Sequence, residues 1–242
     1  MLQTSMNRGL ADDWPSFPPG YEVRVCLDDP FGTAIAAAKD GAEDGLLLWQ
    51  DRSDCLNAAM VLRPLDPLRR AMTLSQVGLL GLLDGFATLA PPETPAGLMW
   101  PDRLLVNDGV VGGVRVSHGP LVGKLEFDDV PDWLVLGFTI RIQTDSGGRE
   151  PGEQVEYTSL FEEGCGEITP RLLIESFSRH FLGWLDRWQE QGYEPVRRTA
   201  ERHQAEKRLR LEPHGDASLD NIRQDLVAAL RRPSWSLPES GA

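Results

Sequence analysis

The feature that most restricts the fold of this chain is a pair of short apolar runs joined by a tight turn within residues 99–117. Residues 104–106 read Leu-Leu-Val, and residues 110–116 form the second run. Between them, Asn107-Asp108-Gly109 are residue types that tolerate the positive φ angles of a tight turn. The pattern therefore predicts an antiparallel β-hairpin.

Two adjacent glycines, Gly112 and Gly113, interrupt the second run. Glycine weakens a strand, and its usual justification there is the close approach of a ligand or of another backbone. Two interpretations therefore remain open: these residues adjoin a ligand, or they form a bulge packed tightly against a neighbouring element.

The rest of the chain alternates between strand-like and helix-like patterns. A helix is predicted at residues 31–39, with Asp29 as its N-cap and Pro30 at its first position. An apolar stripe from Leu173 to Trp188 predicts a long helix whose buried face belongs to the core. Further helices are expected at 73–89 and 217–232, and strands at 21–27, 45–50, 56–62, 121–127 and 133–142.

Composition excludes several classes of protein. The net charge of −13 argues against nucleic acid as a partner, because binding phosphates requires clustered Lys and Arg. No apolar run reaches the ~18 residues needed to cross a bilayer, and the N-terminus lacks a signal-peptide pattern. Three scattered cysteines suit neither a disulfide framework nor a zinc site. We therefore expect a cytoplasmic protein without a metal centre, membrane or nucleic acid.

The hairpin also carries a resemblance to a known family. Trp100-Pro101, the second strand Gly113-Val114-Arg115-Val116 and the spacing between them resemble the signature hairpin of biotin– and lipoate–protein ligases. The resemblance covers residues 21–199. It implies an α/β (α+β) fold, in which helices flank a mixed β-sheet as in the catalytic domain of those ligases. We expect a disordered tail at 1–19, this domain at 20–199, and a helical extension with a disordered tail at 200–242.

The resemblance further implies a function and a site. Family members attach a biotin-, lipoyl- or octanoyl-type acyl group to a lysine of a biotinyl or lipoyl carrier domain, using ATP and Mg²⁺ to form an acyl-adenylate. The ligand-binding positions implied here are Arg52, Trp100, Asp102, Gly112, Gly113, Val114, Arg115 and Gly137. The catalytic cations would be Arg103, Lys124 and Arg141.

The sequence departs from the family pattern at three places. Met99 stands where the family has the hairpin lysine, and Arg141 stands where it has an asparagine. The Gly- and Arg-rich adenylate loop is replaced by Asp51-Arg52-Ser53-Asp54-Cys55, and Arg52 there is either a ligand contact or a surface ion pair with a neighbouring aspartate. Arginines at displaced positions could form a relocated phosphate clamp.

These departures leave three functions open. ATP-dependent biotinylation is predicted to be weak or absent, because a missing charge-stabilising donor costs on the order of 100–1000-fold in rate. The first hypothesis is a modified ligase or acyltransferase. The alternative hypothesis is a non-catalytic module that binds an acyl ligand or a carrier protein. Transfer of a preformed acyl group would require a nucleophile or a general base. Cys165 with Lys124 resembles the Cys/Lys pair of lipoyl (octanoyl) transferases, but the residues flanking both differ from that pattern, so that only the position of Cys165 before a helix start favours it as a nucleophile. His118 is expected to be a turn residue.

Overall fold

The computed structural model describes residues 14–121, 126–143, 157–204, 224–233 and 235. Within these ranges, seven strands form one sheet in the spatial order β1-β2-β3-β7-β6-β5-β4. β1 and β2 are parallel, and every other neighbouring pair is antiparallel. The predicted mixed sheet is therefore confirmed. The strands are β1 (Glu22–Val25), β2 (Leu46–Trp49), β3 (Cys55–Leu62), β4 (Ala96–Met99), β5 (Arg103–Val106), β6 (Gly109–His118) and β7 (Leu134–Arg141).

Helices cover the two faces of the sheet unequally. α1 packs on one face through Phe31, Ala34 and Ala38, and α3 and α4 pack together on the other. As predicted, Asp29 caps α1, since its carboxylate accepts a hydrogen bond from the Gly32 amide at 2.9 Å. The helices are α1 (Pro30–Lys39), α2 (Leu68–Ala71), α3 (Leu74–Leu89), α4 (Pro170–Gln191), α5 (Glu194–Arg202) and α6 (Gln224–Arg231), with a 3₁₀ turn at Glu126–Asp128.

The predicted hairpin is formed by β5 and β6. Asn107 and Asp108 at its tip have φ angles of 48° and 66°, which are the left-handed conformations that the turn residues indicated. The pairing register shifts between Leu104 and Leu105, so that the hairpin contains a bulge. β4 precedes it as a third antiparallel strand that the sequence analysis did not separate from the hairpin.

The face under α3 and α4, which we call the helix-covered face, is closed by aromatic packing. A Cβ atom added to Gly81 or Gly85 of α3 would lie 3.1 Å from Phe181 Cα or 3.0 Å from Phe177 N, so glycine lets the two helices approach closely. The ring of Phe177 in turn lies 4.3 Å from that of Phe138 on β7, measured between centroids. This face is therefore filled by interlocking side chains.

One stretch of the chain is more apolar than the sequence analysis expected. Leu68–Leu89, which includes α2 and α3, is long and apolar enough to cross a membrane by length and composition. However, 78% of its most apolar window is buried inside the protein, as in the core helix of a soluble domain. Packing against α4 and the sheet accounts for its composition.

Two further segments differ from the expectation. Residues 121–127 do not form the predicted strand: Leu121 makes a single bridge to Pro131, and Glu126–Asp128 is a 3₁₀ turn, while 122–125 lie outside the described residues. Part of the predicted N-terminal tail lies against the domain, because Trp14 contacts the ring of Trp49 edge-on at 5.7 Å.

Candidate functional site

Several predicted site residues share the face of the sheet opposite to α3 and α4. Partners on neighbouring strands point to the same face, and the register joins Arg103 to Gly113, Gly113 to Thr139, and Arg115 to Gly137. Arg141 follows Thr139 by two residues on β7 and therefore points the same way. We call this surface the arginine face; it consists of Arg103, Gly113, Arg115, Gly137, Thr139 and Arg141.

The paired glycines are required by the sheet itself. A Cβ atom on Gly113 would lie 1.9 Å from the carbonyl oxygen of Asp102, and one on Gly112 would lie 1.9 Å from that of Thr139. Of the two interpretations of these glycines, a neighbouring ligand or a tightly packed bulge, the second is therefore correct for the local backbone. β6 is bulged here, and the backbones of its neighbours approach it closely.

Arg115 fills the space that Gly137 leaves. A Cβ atom on Gly137 would lie 2.9 Å from the Arg115 side chain and 2.5 Å from the ring of Phe31. The guanidinium of Arg115 lies 4.2 Å above the centre of that ring, and its Nη2 donates a hydrogen bond to Asp29 Oδ1 at 2.6 Å. The charge of Arg115 is thus neutralised by the residue that caps α1.

The loop after β2 contains two further ion pairs. Nε of Arg52 donates to Asp54 Oδ1 at 2.8 Å, and Asp51 pairs with Arg171 at 2.7 Å. Hydrogen bonds from the two guanidinium groups are the main cause that lowers the pKa of both carboxyls. Arg52 therefore forms the surface ion pair that the sequence left as the alternative to a ligand contact.

Arg103 and Asp102 are neighbours in a buried position at the start of β5. Nε of Arg103 lies 3.7 Å from Asp102 Oδ1, and the carboxylate side chain is only 5% exposed. Nη1 of Arg103 also contacts the sulfur of Met99 at 3.5 Å. The position of the family lysine is thus occupied by a thioether against which an arginine rests.

Among the described residues, Arg141 makes its hydrogen bond to a backbone carbonyl and not to a carboxylate. Its Nη2 donates to the backbone carbonyl of Trp235 at 2.7 Å, and its guanidinium lies 5.2 Å from the centre of the Tyr157 ring. Its Nη1 is buried and has no hydrogen-bond partner among the described residues. Burial is the main cause that lowers the pKa of Arg141, because the charged form loses solvation.

A chain of polar side chains that the sequence analysis missed runs alongside. The hydroxyl of Thr139 donates to Asn57 Oδ1 at 3.1 Å, and Asn57 Nδ2 donates to Gln50 Oε1 at 2.9 Å. The amide of Gln50 then donates to the carbonyl of Leu27 at 3.0 Å. The available signal was a lone asparagine within the apolar run of β3. This chain supplies amide and hydroxyl groups beside the arginines.

Other predicted residues lie elsewhere. The side chain of Val114 is buried in the core beneath the helices, and Trp100 is partly buried against the same core. Gly112 pairs with Leu104 and Ile140, which belong to that core too. The predicted catalytic Lys124 lies outside the described residues.

Cys165 lacks the properties of a nucleophile. The residue is 2% exposed, and burial is the main cause that raises the pKa of its thiol. An activated thiolate requires a lowered pKa, so the candidate pairing of Cys165 with Lys124 is not supported. The expectation that His118 is a turn residue is wrong: His118 is the last residue of β6 and pairs with Leu134. Its Nδ1 lies 2.7 Å from the carbonyl oxygen of Gly119.

Known proteins share the sequence pattern and the fold of this chain. Residues 17–201 match the sequence model described as "Biotin/lipoate A/B protein ligase family". The chain belongs to this family. The family domain thus includes the whole sheet and helices α1 to α4, and it confirms the resemblance carried by the hairpin.

Individual members of the family are more distant. The biotin–[acetyl-CoA-carboxylase] ligase of Paracoccus denitrificans is 26% identical over 141 residues, which are 57% of this chain and 55% of the relative. The chain therefore spans about half the length of that curated relative.

Solved structures agree on the fold. A biotin protein ligase-like protein of unknown function from Silicibacter sp. TM1040 is 32% identical, with a TM-score of 0.71 over 78% of this chain and 80% of that one. The apo biotin protein ligase of Aquifex aeolicus is 16% identical, with a TM-score of 0.61 over 76% and 78%. The second likeness shows the fold alone.

Proposed function

We propose that this ligase-family protein binds a biotin-, lipoyl- or octanoyl-type acyl group on the arginine face, with Arg141 holding its carboxylate. The observation that supports the proposal is the environment of Arg141: a buried Nη1 lacks a partner among the described residues, and Nη2 is held by a neutral carbonyl. A charge removed from water without a counter-charge is unfavourable. A carboxylate matches the guanidinium in charge and in bidentate geometry.

The surroundings of Arg141 suit the remainder of such a ligand. Leu105 and Val110 form a buried cluster with Trp235, against which Tyr157 is packed. These side chains would give an apolar surface for an aliphatic chain that takes the place of Trp235. The amides of Asn57 and Gln50 lie on the other side and can donate to or accept from a polar head group. An apolar pocket with few polar groups is the usual form of a small-molecule site.

ATP and Mg²⁺, which the family resemblance implies, fit the described residues poorly. Arg52, Arg103 and Arg115 each lie against an aspartate, respectively Asp54, Asp102 and Asp29. A triphosphate would have to displace these carboxylates or accept their repulsion. We therefore propose that ATP-dependent activation is weak or absent.

A second candidate function is attachment of the acyl group to a lysine of a biotinyl or lipoyl carrier domain in the cytoplasm. Arg141, whose hydrogen bond goes to a neutral carbonyl, favours it, because a fixed cation stabilises the negative charge that develops on a carbonyl oxygen during acyl transfer. The donor would be an already activated acyl group such as an acyl thioester. The lysine nitrogen would form an amide bond to its carbonyl carbon, the carbon–sulfur bond would break to release the thiol, and the proton lost by the amine would go to the departing sulfur.

Calorimetric titration of octanoate, lipoate and biotin tests the binding proposal. Replacement of Arg141 by Met should weaken binding by about 10- to 100-fold, since a hydrogen bond to a charged group contributes about 1.5–3 kcal/mol. Arg198→Met is the matched control, because that side chain is 71% exposed on α5 and lies off the arginine face. Equal affinities in the wild type and Arg141→Met would contradict the role given to Arg141.

Acyl-dependent exchange of pyrophosphate into ATP tests the proposal that ATP-dependent activation is weak or absent. We expect little exchange by the wild type and more by Met99→Lys, which restores the cation that the family places in the hairpin. Robust exchange by the wild type would overturn the proposal on ATP. Exchange by neither protein, together with tight acyl binding, would favour a binding module.

A further inference from the structure

Trp235, four residues after the end of α6, lies at the arginine face. Leu226 and Leu230 anchor α6 to the domain and are each 1% exposed. Pro233 follows the helix, where a proline commonly ends it, and it is buried. Trp235 is 1% exposed although it lies in a Pro- and Ser-rich tail for which disorder was expected. We call α6, Pro233 and Trp235 together the C-terminal strap.

Trp235 fills an apolar compartment beside Arg141. It forms one buried cluster with Leu105 and Val110, against which Met99 and Tyr157 are packed. At the same residue, the backbone carbonyl accepts a hydrogen bond from Arg141 at 2.7 Å. Trp235 thus presents an apolar group and an oxygen acceptor together, which are the two features by which an acyl ligand would be recognised.

We infer that the strap is a built-in competitor that occupies the acyl site until a ligand displaces it. This inference rests on the proposed function. The same apolar compartment and the same guanidinium cannot hold Trp235 and an acyl carboxylate at once. Because the strap belongs to the same chain, it closes the site without any change in the sheet.

A ligand can replace the contacts that the strap makes at the arginine face. Nε1 of Trp235 is buried and has no hydrogen-bond partner among the described residues, so docking of the indole leaves a polar group unsatisfied. A neutral carbonyl is also a weaker partner for Arg141 than a carboxylate. A carboxylic acid with an apolar chain therefore offers Arg141 a stronger contact and fills the compartment equally well.

Competition makes a quantitative prediction for the chain that carries the strap. The apparent dissociation constant equals the intrinsic one divided by the fraction of molecules with an open site. If the strap is docked in about 90–99% of molecules, its release tightens binding by about 10- to 100-fold. Trp235→Ala should show this gain, and Trp235→Phe, which retains an apolar ring, should show a smaller one.

Titration with octanoate compares the wild type, Trp235→Ala and Trp14→Ala. Trp14 is the control because it is a tryptophan near the other end of the chain that is 47% exposed; its replacement should leave octanoate affinity unchanged. Tighter binding by Trp235→Ala alone supports the strap. Equal octanoate affinity in the wild type and Trp235→Ala overturns the strap but leaves the proposed function standing. No binding by either protein contradicts the proposed function.

Hydrogen–deuterium exchange tests the docking of the strap without a measurement of ligand affinity. Octanoate should accelerate amide exchange in α6 and at Trp235 of the wild type, and Trp235→Ala should show fast exchange there without ligand. Exchange in the strap that is equally fast in the wild type and in Trp235→Ala, without ligand, overturns the docking itself. Slower exchange in the presence of octanoate would likewise contradict competition.

Discussion

The two faces of the sheet are closed in different ways. The helix-covered face is filled by rings such as Phe138 and Phe177, and close helix contact is made possible by Gly81 and Gly85. The arginine face is held instead by charged pairs such as Arg115 with Asp29. Packed rings have one good arrangement, whereas a guanidinium can exchange one oxygen partner for another. This contrast supports our proposal of a ligand site on the arginine face, whereas the helix-covered face contributes mainly to stability.

The largest effect is expected from removing volume on the helix-covered face. Phe177→Ala should lower the free energy of unfolding by about 3–5 kcal/mol, because the cavity left between α3, α4 and β7 cannot collapse. Phe161→Ala is the control; that ring is 61% exposed and its loss should change stability by less than ~0.5 kcal/mol. Urea denaturation measures the free energy of unfolding of both variants. Equal decreases in the two variants would contradict the claim that the packed rings of the helix-covered face are a main source of stability.

A smaller effect is expected where the arginine face meets α1. Asp29→Ala removes both the cap of α1 and the partner of Arg115, for a loss of about 2 kcal/mol. Asp29→Asn keeps a good capping oxygen and loses the charge, so we expect about half that loss. Thermal unfolding of the two variants measures how much stability the cap and the ion pair each contribute. A loss in Asp29→Asn as large as in Asp29→Ala would show that the ion pair alone matters.

The smallest effect is expected for the loss of the Asp51–Arg171 ion pair at low pH. The pKa of Asp51 is lowered in the folded state, chiefly by its hydrogen bond to Arg171, so its contribution is present above the unfolded pKa of about 3.9 and is lost as the pH falls through the folded value. The pair is about one-third exposed, and such pairs contribute at most ~0.5 kcal/mol. Asp51→Asn should therefore be slightly less stable than the wild type at pH 7 and equal to it near pH 2. A difference that persists at pH 2 would contradict this account.

The parts of the fold that depend on local pattern were predictable from the sequence. Turn residues fixed the tip of the hairpin at Asn107-Asp108, and Asp29 with Pro30 fixed the start of α1. These signals act between neighbours in the chain. The choice between a ligand and a bulge at Gly113 needed the register of β5 against β6, which no local pattern contains.

The electrostatic partners of the site were not predictable in the same way. Asp29 and Arg115 are 86 residues apart in sequence, and Arg141 and Trp235 are 94 apart. A lone tryptophan in a tail rich in proline and serine has no periodicity that reveals its burial. The sequence and the resemblance therefore singled out Arg103, Arg115 and Arg141, which share one face, together with Arg52, which does not. Their partners could be identified only from the three-dimensional arrangement.

The position of α6 has a consequence for how molecules of this protein meet one another. β6 has ten residues and β5 only four, so β6 extends past its neighbour. Val227 and Ala228 of α6 line one cavity together with Val116 and Ser117 of that extension. An uncovered strand edge is a template on which a second chain can add a strand and begin to aggregate. By lying along this edge, α6 shields the sheet from edge-to-edge association and so contributes to colloidal stability.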